Sequence, residues 1–186
     1  GRDVAVALAR RSGIFRDDRN TLYGGDRAGS RYYYVMENTA ATESAQFTSG
    51  LINPGFRNEV TAFQVNPFVK FRGLELFGVA ERAEGKASTE TSRRQMSQYA
   101  GDVVYRFGPG EPLYVAARYN TVQGRMAGIA NDVRVNRVQV GGGWFITPGL
   151  LAKLEYVHQE YKDFPPSNIR SGGKFHGLML EGVVAF

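Results

Sequence analysis

A chain of 186 residues is long enough for one domain, and its apolar runs are too short to supply the roughly 20 consecutive residues of a transmembrane helix. The net charge of +5, from 23 Lys and Arg against 18 Asp and Glu, is spread along the chain with no basic patch beside stacking aromatics, which argues against nucleic acid as a partner. With no cysteine, disulfide frameworks and thiolate metal sites are excluded.

Gly1-Arg2-Asp3 shows no signal-peptide pattern, and the chain reads at once into a strand, Val4 to Arg10, as if further strands precede it. Arg11 to Gly29 has no clear period. Within it, Asp17 and Asp18 lack the spaced acidic series of a calcium loop, and Gly24-Gly25-Asp26-Arg27-Ala28-Gly29 lacks the helix that a phosphate loop needs, so both read as solvated loop or turn. Arg31 to Glu37 reads as the strand that rises into the longest connection, Thr39 to Asn58. Phe47, Leu51, Ile52 and Phe56 lie in that connection. They suit either a loop folded inward as a constriction or an apolar cap against a neighbouring protein.

From there the chain is a series of hairpins with period-two alternation. Phe63, Val65, Val69 and Phe71 oppose Gln64, Asn66, Lys70 and Arg72. After a turn at Arg72-Gly73, Leu74, Leu76, Gly78 and Ala80 oppose Glu75 and Glu81. Pro67 falls inside the first of these strands and cannot donate to a ladder, so a bulge is expected there. Next, Tyr99, Val103, Tyr105 and Phe107 oppose Gln98, Asp102 and Arg106. A Gly108-Pro109-Gly110 turn leads to Leu113, Val115 and Tyr119 opposing Arg118 and Asn120. Val138, Val140, Trp144 and Ile146 oppose Arg137 and Gln139. After Thr147-Pro148-Gly149, Ala152, Leu154 and Tyr156 oppose Lys153, Glu155, Gln159 and Tyr161. In the final strand, Lys174 to Phe186, Leu178, Leu180, Val184 and Phe186 oppose Glu181. Between hairpins lie longer polar connections, Ala83 to Ser92, Gln123 to Asp132 and Phe164 to Gly173.

Nine strands, tight turns at one end, long loops at the other and a terminal aromatic together predict an all-β fold, an antiparallel transmembrane β-barrel of meander topology. Since such barrels have even strand numbers, either a further strand lies within Ile14 to Gly29 or, the preferred expectation, this is the C-terminal part of a larger barrel with N-terminal strands missing. Residues 1–186 then form a single domain. The competing expectation is a soluble barrel or sandwich with the apolar phase turned inward.

Gly142-Gly143-Trp144-Phe145-Ile146-Thr147-Pro148-Gly149 followed by Leu154-Glu155-Tyr156-Val157-His158 resembles the penultimate hairpin of Gram-negative outer-membrane porins, particularly the phosphate-selective type. The resemblance covers roughly the last fifty residues; the closing strand departs from the family's pattern because Gly182 stands one place from the commonest glycine position. It implies an outer-membrane location, contact with outer-membrane lipid, passage of small polar solutes or anions, and a homotrimer or another envelope protein as partner.

The polar phase supplies the candidate pore lining: Lys70, Arg72, Arg106, Arg118, Arg137 and Lys153, against Glu75, Glu81, Asp102, Glu155 and Glu181. Rings of such charges set ion selectivity in a pore, or they pair across strands and merely solvate an inner wall. The first expectation is therefore a diffusion porin, and the second a plugged barrel serving as anchor or subunit of an envelope complex. Only two histidines are present, His158 and His176, both in the apolar phase with no nucleophile at a diagnostic spacing, so no enzyme activity and no cofactor are expected.

Overall fold

The computed structural model describes residues 2–14, 52 and 54–185. Every element is a strand: β1 (Arg2–Ile14), β2 (Glu59–Phe71), β3 (Leu74–Lys86), β4 (Arg94–Phe107), β5 (Leu113–Gly124), β6 (Val133–Thr147), β7 (Leu150–Lys162) and β8 (Lys174–Val184). They form one antiparallel meander in the order β1 to β8, each strand paired with its neighbour in the chain. Among the described residues β1 and β8 each have one partner and do not pair with each other, so the sheet is not closed.

The expected asymmetry of connections is present. The β2–β3, β4–β5 and β6–β7 turns lie at one end, with residues 87–93, 125–132 and 163–173, the end of β1 and the start of β2 at the other. Residues 83–86 and 123–124, read from the sequence as loop, continue β3 and β5. Their small side chains Ala83, Gly85 and Gly124 carry no alternation, but the ladder runs through them, pairing Ala83 with Met96 and Gly124 with Met96 and Val133. β1 likewise continues through Arg11–Ile14 into the stretch that showed no period.

The place beside β2 belongs to β1, paired from Arg2↔Phe71 to Ile14↔Glu59. With β3 on its other side, β2 has no vacancy for Arg31 to Glu37, the strand expected there. That segment, Phe47, Leu51 and Phe186 lie outside the described residues.

Pro67 makes no bulge. The β2–β3 ladder lapses at Asn66 and Pro67 and resumes in the same register at Phe68↔Phe77. Gly78 stands opposite, where a side chain would meet the proline ring at 2.9 Å, so the ring occupies the space a Cβ would take. The one irregularity of register lies between Phe145 and Thr147 in the β6–β7 ladder.

Side chains from every strand of β2 to β8, Phe68 and Glu181 among them, border one cavity of about 270 Å³, so the sheet is rolled with one concave face. That face is the polar phase. The convex face carries the large apolar side chains in the open, from Phe63 and Leu76 through Tyr105, Val140 and Trp144 to Leu180 at 80% exposure. Apolar side chains such as Phe68, Phe77, Val104 and Met179 share the concave face with the ions around the cavity, and at its loop end a buried apolar cluster forms, where Val60, Ala83, Met96, Val122, Val133, Val135 and Tyr161 pack with Ile52, Phe56 and Phe164.

The β2–β3 turn is a two-residue connection, where Arg72 takes a positive φ of 49° and Gly73 accepts a hydrogen bond from the Arg106 amide at 2.7 Å. A Cβ on Gly73 would run into the Arg106 carbonyl. Gly73→Ala is therefore expected to destabilise the sheet by about 1–3 kcal/mol, visible as a lowered denaturation midpoint. An unchanged midpoint would mean the turn relaxes freely.

Candidate functional site

Period-two alternation places a side chain on the same face as its cross-strand partner. The register therefore sorts the concave face into rows stacked from turn end to loop end. Ten of the eleven expected wall residues lie on it: Lys70, Glu75, Glu81, Asp102, Arg106, Arg118, Arg137, Lys153, Glu155 and Glu181. Arg72 is the exception. It sits in the β2–β3 turn with its guanidinium 5.1 Å from the Phe71 ring centroid.

Toward the turn end the wall is charged and internally paired. Lys70 Nζ and Arg106 Nε both donate to Glu75 Oε1 at 2.9 Å. Arg118 Nη1 donates to Asp102 Oδ2 at 3.1 Å, Lys153 Nζ to Glu181 Oε2 at 2.6 Å and Gln139 Nε2 to Glu155 Oε1 at 2.9 Å. Arg106 is further held by two rings, 5.6 Å from the Tyr114 centroid and 5.5 Å from that of Phe145. These are the cross-strand pairs that the sequence left as an alternative to an open ionic lining. This paired wall borders the 270 Å³ cavity and a space of about 500 Å³ at the turn-end mouth beside Lys70, Glu75, Arg106 and Glu111.

Above this layer the described wall carries few charges, Glu81 and Arg137 and, at the loop end, Arg94, and these are buried. Asn120, Arg137 and Gln159 occupy one cross-strand row, all at 0% exposure. Arg137 Nε donates to Gln159 Oε1 at 2.7 Å, and Gln98 Nε2 reaches Asn120 Oδ1 at 3.4 Å. The Asn120 Nδ2 and Gln159 Nε2 groups have no hydrogen-bond partner among the described residues, which marks this layer as one that ordered water would complete.

The apolar cluster closes the loop end over this row. Of the inward or outward alternatives for Thr39 to Asn58, its described end turns inward, with Ile52 and Phe56 each 2% exposed. A clasp that the sequence reading missed holds the cluster in place. Arg94 Nε and Nη2 grip the two oxygens of Glu90 at 2.6 and 2.9 Å, Nη1 donates to the Arg125 carbonyl at 2.9 Å, and the guanidinium lies 5.1 Å from the Phe56 ring centroid. One side chain thus ties the β3–β4 and β5–β6 connections to the segment entering β2. Its sequence signal was there, since Arg94 shares the inward parity of Met96 and Gln98 and stands four residues after Glu90.

His158 and His176 stand on the convex face, outside this wall. Among the described residues no three His, Asp or Glu side chains gather as a metal site. Compared with known proteins, the chain matches no family model and no curated protein.

The hydrogen bonds from Arg94 and from the Ala87 amide hold the Glu90 carboxyl below its ordinary 4.5, against a smaller opposing effect of burial. Because the folded value is the lower one, the clasp contributes fully above about pH 4.5 and its contribution disappears as pH falls through the folded value. Urea midpoints measured between pH 6 and pH 3 are expected to fall less steeply in Glu90→Gln than in the wild type. Parallel curves would remove Glu90 from the clasp. Arg94→Met is expected to cost about 2 kcal/mol at neutral pH, measured by the same denaturation.

Proposed function

We propose that the chain is the wall of a bacterial outer-membrane β-barrel closed by its own cap at the loop end, serving as an anchor or subunit of an envelope assembly. The observation that carries the reading is the inverted polarity of the rolled sheet, with apolar side chains exposed on the convex face and ions on the concave one. A soluble barrel would have the reverse.

The convex face is also built to the right dimensions. On β4 it runs from Tyr99 to Phe107, and on β6 from Val138 to Ile146. Eight residue steps cover about 27 Å along a strand, or about 21 Å of height at a tilt of about 40°, close to the ~25 Å apolar band of outer-membrane barrels. Tyr99 and Tyr119 stand at the loop edge of this band, and Tyr105, Phe107 and Trp144 toward the turn edge, the placement of interfacial girdles. Beyond the loop edge the convex row becomes polar, with Arg82, Ser97, Gln123, Arg134 and Lys162 in line. Hydrocarbon tolerates no open sheet edge, so the free edges of β1 and β8 must be met by each other or by additional strands. The two run antiparallel, and eight strands suffice for a small barrel whose interior its own side chains fill.

A capped lumen over the fully buried row of Asn120, Arg137 and Gln159 favours a plugged barrel over an open one. The two ion-lined spaces near the turn end favour the second reading, a diffusion porin for small polar solutes or anions, the role implied by the resemblance to phosphate-selective porins.

Trp144, the single tryptophan, is 52% exposed on the convex face and reports on what that face touches. In vesicles with brominated acyl chains its fluorescence is expected to be quenched strongly, and acrylamide is expected to quench it weakly. The opposite pattern would end the membrane reading.

In a planar bilayer under a salt gradient, the folded chain is expected to insert without stable ohmic steps, and Phe56→Ala with Tyr161→Ala to open a small conductance. Steady steps from the unaltered protein would decide for the porin, and Arg118→Glu should then move the reversal potential toward cation preference.

A further inference from the structure

The chain has two histidines in 186 residues, and they are directly opposite one another on adjacent strands, His158 of β7 and His176 of β8. Their rings face each other on the convex surface, with centroids 6.4 Å apart and planes inclined by 27°. We propose that this pair is a binding site for one divalent transition-metal ion of the imidazole-preferring class, Zn²⁺, Ni²⁺ or Cu²⁺.

The geometry fits the chemistry. A metal–nitrogen bond of about 2.0–2.1 Å puts each ring centroid about 3.2 Å from a shared ion, so two imidazoles on one metal have centroids about 5.3 Å apart at a tetrahedral angle and about 6.4 Å at a linear one. The observed 6.4 Å is at the upper end of that range, and because imidazole lone pairs lie in the ring plane the two stacked rings turn edge-on about their side-chain torsions to converge on one ion. Both residues project from a paired antiparallel ladder, which fixes their Cβ atoms relative to each other. His158 also has the carboxylate partner that metal-bound imidazoles carry on their second nitrogen: its Nε2 lies 3.3 Å from Glu160 Oε1. With Nε2 donating its proton there, Nδ1 is the free lone pair of that ring.

The neighbours on the same face are consistent with this role. Glu160 is shared with Lys162 Nζ at 2.8 Å and pairs across the ladder with Lys174, so the local positive charges have a counter-ion. On the other side Tyr156 and Leu178 form an apolar floor, with the Tyr156 ring centroid 6.5 Å from that of His176. Two imidazoles leave the remaining coordination positions to water or to an oxygen donor from solution. The site depends only on the β7–β8 pairing and stands whether or not the barrel crosses a membrane.

The test is titration of the detergent-folded full chain with Zn²⁺ alone, followed by calorimetry, and with Cu²⁺ followed by electron paramagnetic resonance. One site per chain is expected, with two nitrogen ligands in the Cu²⁺ spectrum. His158→Gln and His176→Gln are each expected to weaken binding at least about tenfold, and Glu160→Gln by a smaller factor. Both rings lie on the outer face away from the apolar cluster, so the variants should keep the wild-type denaturation midpoint. The proposal is overturned if the wild type binds no ion, if the His158→Gln/His176→Gln double variant binds as the wild type does, or if the spectrum shows a single nitrogen.

Discussion

Everything in this molecule depends on an antiparallel register that holds its phase along each ladder up to the last pairing before the β6–β7 turn. Since a one-residue slip would carry a strand's whole side-chain set to the opposite face, the separation of ions from apolar surface across seven ladders rests on each ladder keeping its phase. The ladder next to Pro67 shows how firmly that phase is held. Two pairings are lost and the register resumes unchanged, because the glycine opposite leaves room for the ring. A bulge there would have inverted the wall on one side of it.

Within that frame the concave face changes character along its height. Near the turns, charges find opposite charges on the adjacent strand, and Glu75 serves two cations through a single oxygen. Higher up, groups that cannot be left solvated are enclosed, with Arg137 sharing a row with two amide side chains. At the loop end an apolar cluster takes over, packed like the core of a soluble protein. Arg94 joins the regimes, since it is cationic, bidentate to Glu90 and stacked near Phe56.

Parity explains what could be read in advance. Strand phase survives in sequence because each wall residue differs in polarity from its chain neighbours, as in Gln98 beside Tyr99 or Glu155 beside Tyr156, so ten of the eleven wall residues could be assigned to one face. Arg72 escaped because alternation says nothing about where a strand stops and a turn begins. Strand ends made of Ala and Gly were misread as loop for the same reason. The adjacency of β1 and β2 was illegible for a different reason: pairing across a long connection leaves no local pattern. The clasp needed three separate connections to be brought together, which only the folded sheet does.

That β1–β2 pairing also bears on how the sheet assembles. The seven strands from β2 to β8 are joined by connections of 2 to 11 residues, whereas residues 15–58 separate β1 from its partner. On chain length alone, closing the longer loop costs about 2.7 kcal/mol more entropy than closing a two-residue turn. The C-terminal strands can therefore zip by successive hairpins, and β1 is left to join a template already in place. The strand that arrives last covers the β2 edge, and the order of folding decides how long that edge stays open.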